Sequence, residues 1–228
     1  MSICVTSIDR SAQAFADEFA TLGVATAHEA QGRKGLLGPG LSPIYRPVSI
    51  AGCAVTCEVA PGDNWMIHVA VEQCQQGDVL VVTPTSPWQG GYFGDLLATS
   101  LQSRGVRGLV INGGVRDIAT LTEMQFPVWS SAVFAQGTVK ETIANVNTSV
   151  VCAGERVDPG DLIVADDDGV VVVRKSEAEA VLEKARARVA NEEEKRKRFE
   201  AGELGLDIYN MRERLAEKGL RYVESEDE

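Results

Sequence analysis

The sequence predicts a mixed α/β sandwich followed by a C-terminal helical extension. Strand–helix–strand units occupy the middle of the chain, hairpin-like segments follow them, and two charged helices come last. This order fits a sandwich of helices on a mixed sheet better than a strictly doubly wound sheet. With 228 residues, 44% of them hydrophobic, the chain is long enough for one large domain with a real core and an appendage.

Helical and strand-like patterns alternate through the first half of the chain. Ser11–Leu22 carries apolar residues at helical spacing, and Gly32 ends a second, short helix. Gly35–Pro47 is rich in glycine and proline, which indicates a loop. Beyond it, β-branched residues or a short apolar run predict strands on either side of a third helix. The predicted strands are Val48–Ala60 and Val79–Val82, and the helix is Trp65–Cys74.

The second half continues with helices and strands and then changes to a hairpin. The helices predicted here are Leu96–Ser103 and Asp117–Met124, and the strands are Gly108–Ile111, Pro127–Phe134 and Thr148–Cys152. Leu162–Ala165 and Val170–Val173 form a predicted hairpin around three successive aspartates. These aspartates indicate a turn rather than a calcium site, because the ligand spacing of a calcium loop is absent.

Two charged helices, Ser176–Glu200 and Leu206–Lys218, end the chain. Their apolar residues lack an obvious core of their own, so we expect this extension to pack on a neighbouring subunit. The predicted organisation is an α/β domain over residues 1–175 and a helical extension over residues 176–228. The acidic tail Glu224–Glu228 is predicted to be disordered.

Charge, hydropathy and cysteine count exclude several classes of protein. Lys and Arg number 22 and Asp and Glu 33, and the net charge of −11 argues against a nucleic-acid-binding protein. An anionic substrate is compatible with this charge, because a metal ion and one arginine can reverse the local field. No apolar run is long enough to cross a membrane, and the first residues do not form a signal peptide. Five cysteines without paired spacing indicate free thiols in a reducing cytoplasm.

Two glycine clusters, each followed at once by charged residues, mark the candidate site. One ends at Asp95 and the other runs into Arg116 and Asp117. Glycine lets a backbone turn tightly and approach a ligand closely. In open α/β sheets the loops at the carboxyl ends of the strands hold the ligand, so these three charged residues are expected to converge.

These residue types suit a small anionic ligand and a hard cation. An arginine grips a carboxylate through two parallel hydrogen bonds, and the amides of Leu96 and Leu97 at a helix start can hold a carboxylate or ketone oxygen. Mg²⁺ takes one or two carboxylates and completes its shell with waters and substrate oxygens, which favours an aspartate ligand. The presence of only two histidines disfavours a zinc site of the usual type.

Simpler explanations exist for each residue on its own. Asp95 and Asp117 could be helix N-caps, with Arg116 paired to one of them. His68, on a mostly apolar helix, is expected to be a hydrogen-bonded core residue rather than a ligand. The glycine clusters match neither a dinucleotide fingerprint, nor a P-loop, nor a serine-hydrolase elbow. The three charged residues together with the nearby glycines favour a binding site.

Asp95, twenty intervening residues and then Arg116-Asp117 form a D-x20-R-D pattern. With this pattern the chain resembles the class II pyruvate aldolases of the RraA-like family, which cleave 4-hydroxy-4-methyl-2-oxoglutarate and 4-carboxy-4-hydroxy-2-oxoadipate. The similarity covers nearly the whole chain. The flanking segments that share it are Val24–Thr26, Pro61–Asn64, Gly77–Val81, Gly94–Ala98, Val157–Asp161 and Gly202–Asp207.

The resemblance implies an α/β sandwich like the phosphohistidine swivelling domain, assembled as a homotrimer or homohexamer. It implies Mg²⁺ or Mn²⁺ bound directly by Asp117, with Asp95 and a glutamate from a neighbouring subunit each holding a water in the metal's shell. That glutamate is Glu192 or Glu193, because the run of three glutamates leaves the alignment ambiguous. Arg116 would contact the pyruvyl group of the substrate. The other substrate-binding residues implied by the resemblance are Gly94, Leu96, Leu97 and Asn64.

The implied activity is a lyase reaction in the degradation of aromatic acids. The metal and Arg116 would stabilise the enolate formed when the carbon–carbon bond breaks, and oxaloacetate would be decarboxylated through the same enolate. A water held by Asp95 is the suggested base for the C4 hydroxyl. A Schiff-base route is disfavoured because Lys140 and Lys175 lie outside the glycine loops. The alternatives are a ribonuclease-inhibiting binding protein, as RraA proteins are, and a dedicated oxaloacetate decarboxylase.

Overall fold

A computed structural model describes residues 1–225, so residues 226–228 of the tail predicted to be disordered lie outside the described residues. The helices are α1 (Ala16–Ala30), which follows a 3₁₀ turn at Ser11–Phe15, α2 (Trp65–Gln73), α3 (Asp95–Ser103), α4 (Ile118–Glu123), α5 (Ala178–Glu200), α6 (Gly205–Ile208) and α7 (Arg212–Glu217). The strands are β1 (Ser42–Pro43), β2 (Ile50–Val59), β3 (Val79–Pro84), β4 (Gly91–Phe93), β5 (Gly108–Val115), β6 (Val128–Val133), β7 (Val150–Cys152), β8 (Glu155–Val157), β9 (Leu162–Asp166) and β10 (Gly169–Val173).

One mixed sheet carries most of the strands. Its order is β1-β6-β5-β3-β2-β9-β10, and β4 pairs with β5 outside this path. Strands β6, β5, β3 and β2 run parallel, whereas β1, β9 and β10 pair antiparallel at the two ends. Strands β7 and β8 form a separate antiparallel pair. The parallel strands therefore deliver the loops that follow them to one edge of the sheet.

Strand β2 joins the parallel and antiparallel parts of the sheet. Ile50–Cys53 pairs antiparallel with β9, and Ala54–Val59 pairs parallel with β3. Every residue of the strand is buried except Glu58, which is half-buried. Burial on both faces is typical of a strand that lies between two covering layers. The predicted strand Val48–Ala60 is therefore confirmed, with slightly shorter bounds.

Three groups of buried side chains fill the space between the sheet and the helices. The largest lies against α2, α3 and α4 and includes Phe93 and Phe126. The second lies on the opposite face of β3 and β5 around Trp129, whose indole N–H donates to the Asp166 carbonyl at 2.8 Å. The third joins α1 and the start of α5 to β9 and β10. Helices thus cover a mixed sheet, as the predicted sandwich requires.

The chain divides into two compact units, Met1–Ala185 and a second that begins at Arg186. Buried residues such as Val181 place the first turns of α5 in the first unit, beyond the predicted boundary at residue 175. Within the second unit, Lys195 Nζ lies 4.7 Å from the ring centroid of Tyr209. The packing of the extension on a neighbouring subunit stays a prediction. Across residues 1–225, no helix is both long enough and apolar enough to cross a membrane.

Two predicted elements are wrong in detail. The single helix predicted over Leu206–Lys218 is two short helices, α6 and α7, because Asn210 between them adopts a left-handed backbone conformation with φ 52°. An ion pair between Arg212 and Asp207 spans this break. Gly91–Phe93, predicted as part of a glycine turn, is strand β4, because it pairs with the glycine-containing end of β5.

Candidate active site

The carboxyl ends of β4 and β5 lie side by side at the edge of the sheet. The two strands pair in parallel, with Phe93 opposite Val115. The Arg116 backbone N–H donates to the Phe93 carbonyl at 2.9 Å, which fixes the start of the second loop against the first. Because α3 begins at Asp95, this register brings Asp95 close to Arg116 and Asp117, as the glycine clusters predict.

Gly94 admits the Asp117 carboxylate to the start of α3. A Cβ at Gly94 would come too close to Asp117 Oδ2. In its absence, the Asp95 backbone N–H donates to Asp117 Oδ2 across 3.4 Å. The N-terminus of a helix favours an anion at such a position. Glycine is needed here for the close approach and not for its backbone conformation. Its φ of −157° is extended backbone that any residue adopts.

Asp117 holds a backbone conformation that few residues adopt. It is left-handed, with φ 60° and ψ 35°, at the N-cap of α4, and aspartate is among the residues that tolerate this region. Its side chain makes no capping bond to α4, and Asp95 lies inside α3 rather than at its cap. The alternative that both aspartates are helix N-caps is therefore wrong for Asp95, whereas the N-cap position of Asp117 and its pairing with Arg116 are confirmed. Strained backbone of this kind clusters at ligand sites.

The Arg116 side chain packs against two glycines, Gly91 and Gly137. A Cβ at Gly91 would be 3.3 Å from Arg116 Cδ, and one at Gly137 would be 3.2 Å from Arg116 Nη1. Arg116 Nε is 3.6 Å from Asp117 Oδ2, and 49% of the Arg116 side chain is exposed. An exposed pair at this distance adds little to stability. The guanidinium therefore keeps donors for a ligand in addition to its contact with Asp117.

These groups open into a cleft of about 230 Å³. The volume is below that of sites for drug-sized ligands, so the cleft fits a small metabolite. The predicted residues that line it are Asn64, Gly94, Asp95, Leu96, Leu97, Arg116 and Asp117. The other lining residues were not predicted as site residues, and they are Gly91, Tyr92, Phe93, Gly137, Thr138, His68 and Lys140.

A family model described as Aldolase/RraA, of the RraA-like family, matches residues 14–172, which include every cleft residue named above. The chain belongs to the RraA-like family. It is 30% identical over 169 residues to a protein of Halalkalibacterium halodurans and 35% identical over 157 residues to one of Burkholderia multivorans. Both are named "Putative 4-hydroxy-4-methyl-2-oxoglutarate aldolase". The alignments cover 74% and 68% of this chain, and 80% and 95% of the relatives.

A solved structure shows the same RraA-like fold. It is that of a Streptomyces coelicolor protein described as "an unusual member of the RNase ES inhibitor RraA protein family". The TM-score is 0.68 at 29% identity, and the match covers 78% of this chain and 96% of that chain. The predicted RraA-like α/β sandwich with C-terminal helices is therefore confirmed.

Asn64 of this RraA-like chain carries a buried acceptor that meets no donor. Its Nδ2 donates to the Tyr92 carbonyl at 2.8 Å, and this bond fixes which side of the amide is nitrogen. Asn64 is only 8% exposed, and within residues 1–225 its Oδ1 has no hydrogen-bond partner. A buried acceptor in this state costs free energy.

Asp63 ties two walls of the cleft together and was not predicted as a functional residue. Its carboxylate accepts from the backbone N–H groups of Trp65, Glu141 and Thr142 at 2.8, 2.6 and 2.7 Å. Burial alone would raise the pKa of Asp63, but these N–H donors outweigh burial and hold the pKa below its usual value. The segment that contains Lys140 is thereby bonded to the start of α2. The only signal in the sequence is the Pro-Gly-Asp-Asn turn itself.

His68 and Lys140 occupy positions that differ from the predictions. His68 lines the cleft and is exposed, so the prediction of a core histidine is wrong. It follows Asn64 by four residues, which puts both on one face of α2. Partial burial, and then the positive charge of Lys140, lower the pKa of His68. Lys140 also lines the cleft, because hydrogen bonds distant in sequence fold its segment against the glycine loops.

The two aspartates of the cleft fit a hard divalent cation. Asp95 and Asp117 offer carboxylate oxygens, the donor type and number that Mg²⁺ commonly takes from a protein. Among the side chains of residues 1–225, no three His, Cys, Asp or Glu lie close enough together to hold a metal ion. Two carboxylates suit a cation that keeps several waters in its shell.

Glu192 and Glu193 lie on the part of α5 that belongs to the second unit. Arg188 Nε is 2.8 Å from a Glu192 carboxylate oxygen, and Arg196 Nε is 3.4 Å from a Glu193 oxygen. Exposed pairs one turn apart are the ordinary pattern of a charged helix face. The role of either glutamate in a metal shell stays a prediction.

Proposed function

We propose that this protein is a divalent-metal-dependent lyase that cleaves 4-hydroxy-4-methyl-2-oxoglutarate into two molecules of pyruvate. The observation that carries the proposal is the meeting of Asp95, Arg116 and Asp117 at the start of α3, in a cleft of metabolite size. The names of the two relatives support this substrate class. A second proposed substrate is 4-carboxy-4-hydroxy-2-oxoadipate, which would yield pyruvate and oxaloacetate in aromatic-acid degradation.

The proposed metal ligands are the carboxylates of the cleft. Asp117 would hold Mg²⁺ or Mn²⁺ directly, and Asp95 would act through water together with Glu192 or Glu193 of a neighbouring subunit. When bound, the cation supplies positive charge that stabilises negative charge on the oxygens of a 2-oxo acid. A homotrimer or homohexamer in the cytoplasm would bring the neighbouring glutamate to the site.

Arg116 binds and orients the pyruvyl half of the substrate in this proposal. Its guanidinium donates to the 2-oxo oxygen and stabilises that oxygen as it gains charge. The backbone N–H groups of Leu96 and Leu97 at the start of α3 add donors for the same end. The Leu96 N–H donates to Asp95 Oδ1 at 2.8 Å, so it serves the substrate only when Asp95 turns to another partner.

Cleavage moves one proton and one electron pair. The C4 hydroxyl loses its proton to Asp95, directly or through a water, and C4 becomes the carbonyl carbon of one pyruvate. The C3–C4 bond breaks, and its electron pair forms the enolate of the other pyruvate. Arg116 holds the enolate oxygen until C3 takes up a proton. Oxaloacetate would lose CO₂ through the same enolate, which makes decarboxylation the proposed secondary activity.

An assay of pyruvate release tests the proposal. Protein treated with a chelator should lose turnover of 4-hydroxy-4-methyl-2-oxoglutarate and regain it when Mg²⁺ or Mn²⁺ is added. Full activity after metal removal would overturn the metal-dependent reaction.

A Schiff-base route was disfavoured because Lys140 lies outside the glycine loops in the sequence, but Lys140 lines the cleft. Reduction with borohydride in the presence of pyruvate would then covalently modify Lys140 if that route operates.

A ribonuclease-inhibiting binding protein is the second candidate function. Similarity to the Streptomyces coelicolor protein favours it. The family model ends at residue 172, before α5, so the extension is a feature of this chain beyond the shared domain. Binding to an RNase E-type ribonuclease in a pull-down, together with absence of lyase activity, would favour this candidate. A dedicated decarboxylase would instead show higher kcat/KM for oxaloacetate than for the hydroxy-oxo acid.

A further inference from the structure

Two aromatic rings lie where the two walls of the cleft meet. The first wall consists of the glycine loops with their charged residues, and the second consists of the start of α2 with the segment after residue 137. Trp88, in the loop between β3 and β4, is half-buried and lies outside the lining of the cleft. Tyr92 of β4 is 1% exposed. The two ring centroids are 4.8 Å apart, and the rings meet edge to face at 74°.

Each ring lies against backbone that carries no side chain. A Cβ at Gly90, just before β4, would overlap the Trp88 indole, and a Cβ at Gly62 would be 3.6 Å from it. A Cβ at Gly113 of β5 would be 3.0 Å from two atoms of the Tyr92 ring. Gly62 also has a left-handed φ of 74°, which favours glycine. The absence of side chains at Gly90 and Gly113 therefore lets the two rings pack directly on the backbone.

Two hydrogen bonds join Tyr92 to the second wall. The Gly62 backbone N–H donates to the Tyr92 hydroxyl at 3.3 Å, and Asn64 Nδ2 donates to the Tyr92 carbonyl at 2.8 Å. Gly62 and Asn64 belong to the turn that begins α2, whereas Gly113 lies in the strand that leads to Arg116. The two rings therefore fill the space between the strand that leads to the first wall and the turn that leads to the second.

We propose that Trp88 and Tyr92 form an aromatic wedge, a pair of positioning residues that fixes the spacing between the two walls of the cleft. Rings packed directly on backbone leave little room for adjustment, so a smaller side chain at position 88 would let the turn before α2 shift relative to the glycine loops. The wedge acts on the reaction through the groups that it holds apart. The inference rests on the proposed lyase function and adds residues that set the geometry of its cleft.

Replacement of Trp88 by a smaller apolar residue tests the wedge. Trp88→Leu should raise KM for 4-hydroxy-4-methyl-2-oxoglutarate and lower kcat/KM about 10- to 100-fold, a loss typical of groups displaced by about 1 Å. Decarboxylation of oxaloacetate should fall much less, because this shorter 2-oxo acid spans less of the cleft. Trp88→Phe keeps an aromatic ring and should recover most of the cleavage activity. Trp65→Leu, at an exposed tryptophan outside the lining of the cleft, is the matched control and should leave both reactions unchanged.

A compensating pair of substitutions tests the contact between Trp88 and Gly90. Gly90→Ala alone should impair cleavage more than Trp88→Phe alone, because the new methyl group meets the outer edge of the indole. Phenylalanine lacks that edge, so the double variant with Gly90→Ala and Trp88→Phe should be about tenfold more active than Gly90→Ala. Equal activity of the double variant and Gly90→Ala would overturn the wedge.

The outcomes separate the wedge from a general loss of folded protein and from failure of the proposed function. A smaller folded fraction would lower cleavage and decarboxylation by the same factor and leave KM unchanged. That result in Trp88→Leu would overturn the wedge and leave the lyase function standing. Absence of both reactions in the metal-loaded wild type would overturn the lyase function, and with it the role of the wedge in that reaction.

Discussion

The two walls of the cleft are positioned by different kinds of interaction. Asp95 and Arg116 are placed by the register of β4 on β5 and by the close backbone approach at Gly94. The second wall, which carries His68 and Lys140, is held by the buried carboxylate of Asp63, which bonds to the start of α2 and to the segment after Lys140. Backbone hydrogen bonds from Val139 to Gly62 and from Asn64 to Val139 hold the same segment. The first wall therefore depends on backbone packing, and the second depends on backbone hydrogen bonds together with one buried side chain. Substitutions in the first should impair the chemical step, and substitutions in the second should impair selection of substrate and stability.

Arg116→Ala is the most severe test of the first wall. We expect kcat/KM to fall about 10²- to 10³-fold, because the enolate oxygen loses its donor. The free energy of unfolding should change little, because the contact with Asp117 is long and exposed. Steady-state pyruvate release and urea unfolding measure the two effects. Arg104→Ala, at the far end of α3, is the control that should retain activity. Near-normal turnover in Arg116→Ala would mean that the reaction takes place elsewhere.

Gly94→Ala tests whether close packing at the start of α3 places Asp117. The new Cβ would displace the Asp117 carboxylate without straining the backbone of residue 94. We expect a loss of about 10²-fold in kcat/KM, typical of a catalytic group moved by about 1 Å, and a higher Mg²⁺ concentration for half-maximal activity. Gly40→Ala is the matched control, since no atom lies within 4 Å of a Cβ there. An unaltered Mg²⁺ requirement in Gly94→Ala would contradict the placement of the metal at Asp117.

The same contrast explains how much of the site the sequence could reveal. Asp95 and Arg116 follow glycine clusters at the ends of predicted strands, and strand ends meet at one edge of a parallel sheet, so their convergence was predictable. The backbone donors to Asp63 lie 78 and 79 residues away for two of its three bonds. The segment that contains Lys140 has no periodic pattern, so no local feature of the sequence predicts that Lys140 lines the cleft.

The errors in the fold have the same physical origin. Strand β4 is three residues long and includes Gly91, so its composition indicated a turn, and only its pairing with β5 makes it a strand. The break between α6 and α7 depends on the left-handed conformation of Asn210, which helical periodicity does not report. Longer elements such as β2 and α5 were predicted because their patterns persist over several residues.

Asp63→Asn tests the second wall through stability. The asparagine amide cannot accept from three N–H groups as a carboxylate does, so we expect a loss of roughly 1.5–3 kcal/mol in the free energy of unfolding. KM for 4-hydroxy-4-methyl-2-oxoglutarate should also rise, because the segment that carries Lys140 loses two of its bonds to the start of α2. Asp17→Asn, at a largely exposed carboxylate, is the control. A variant with wild-type stability and unchanged KM would show that Asp63 does not position this wall of the cleft.

The pH dependence of that stability has a defined sign. The pKa of Asp63 is lower in the folded protein than in the unfolded chain, where it is about 4. The stabilisation is therefore fully present above about pH 4 and is lost as the pH falls through the lowered folded pKa. Urea unfolding from about pH 6 to about pH 3 should show the gap between wild type and Asp63→Asn narrowing at the acidic end. A constant gap would mean that the ionised carboxylate is not what holds the segment.

The smallest effect that we expect is a change in the pKa of His68 when Lys140 is replaced. This change reports on the proximity of His68 and Lys140. Burial is the larger cause of the lowered pKa and the charge of Lys140 the second. Lys140→Met should therefore raise the pKa of His68 but leave it below the usual value for histidine. The chain has two histidines, so NMR titration with His28→Gln assigns the His68 signal. Lys184→Met should cause no change. An unshifted titration in Lys140→Met would mean that the Lys140 ammonium group does not lie close to His68.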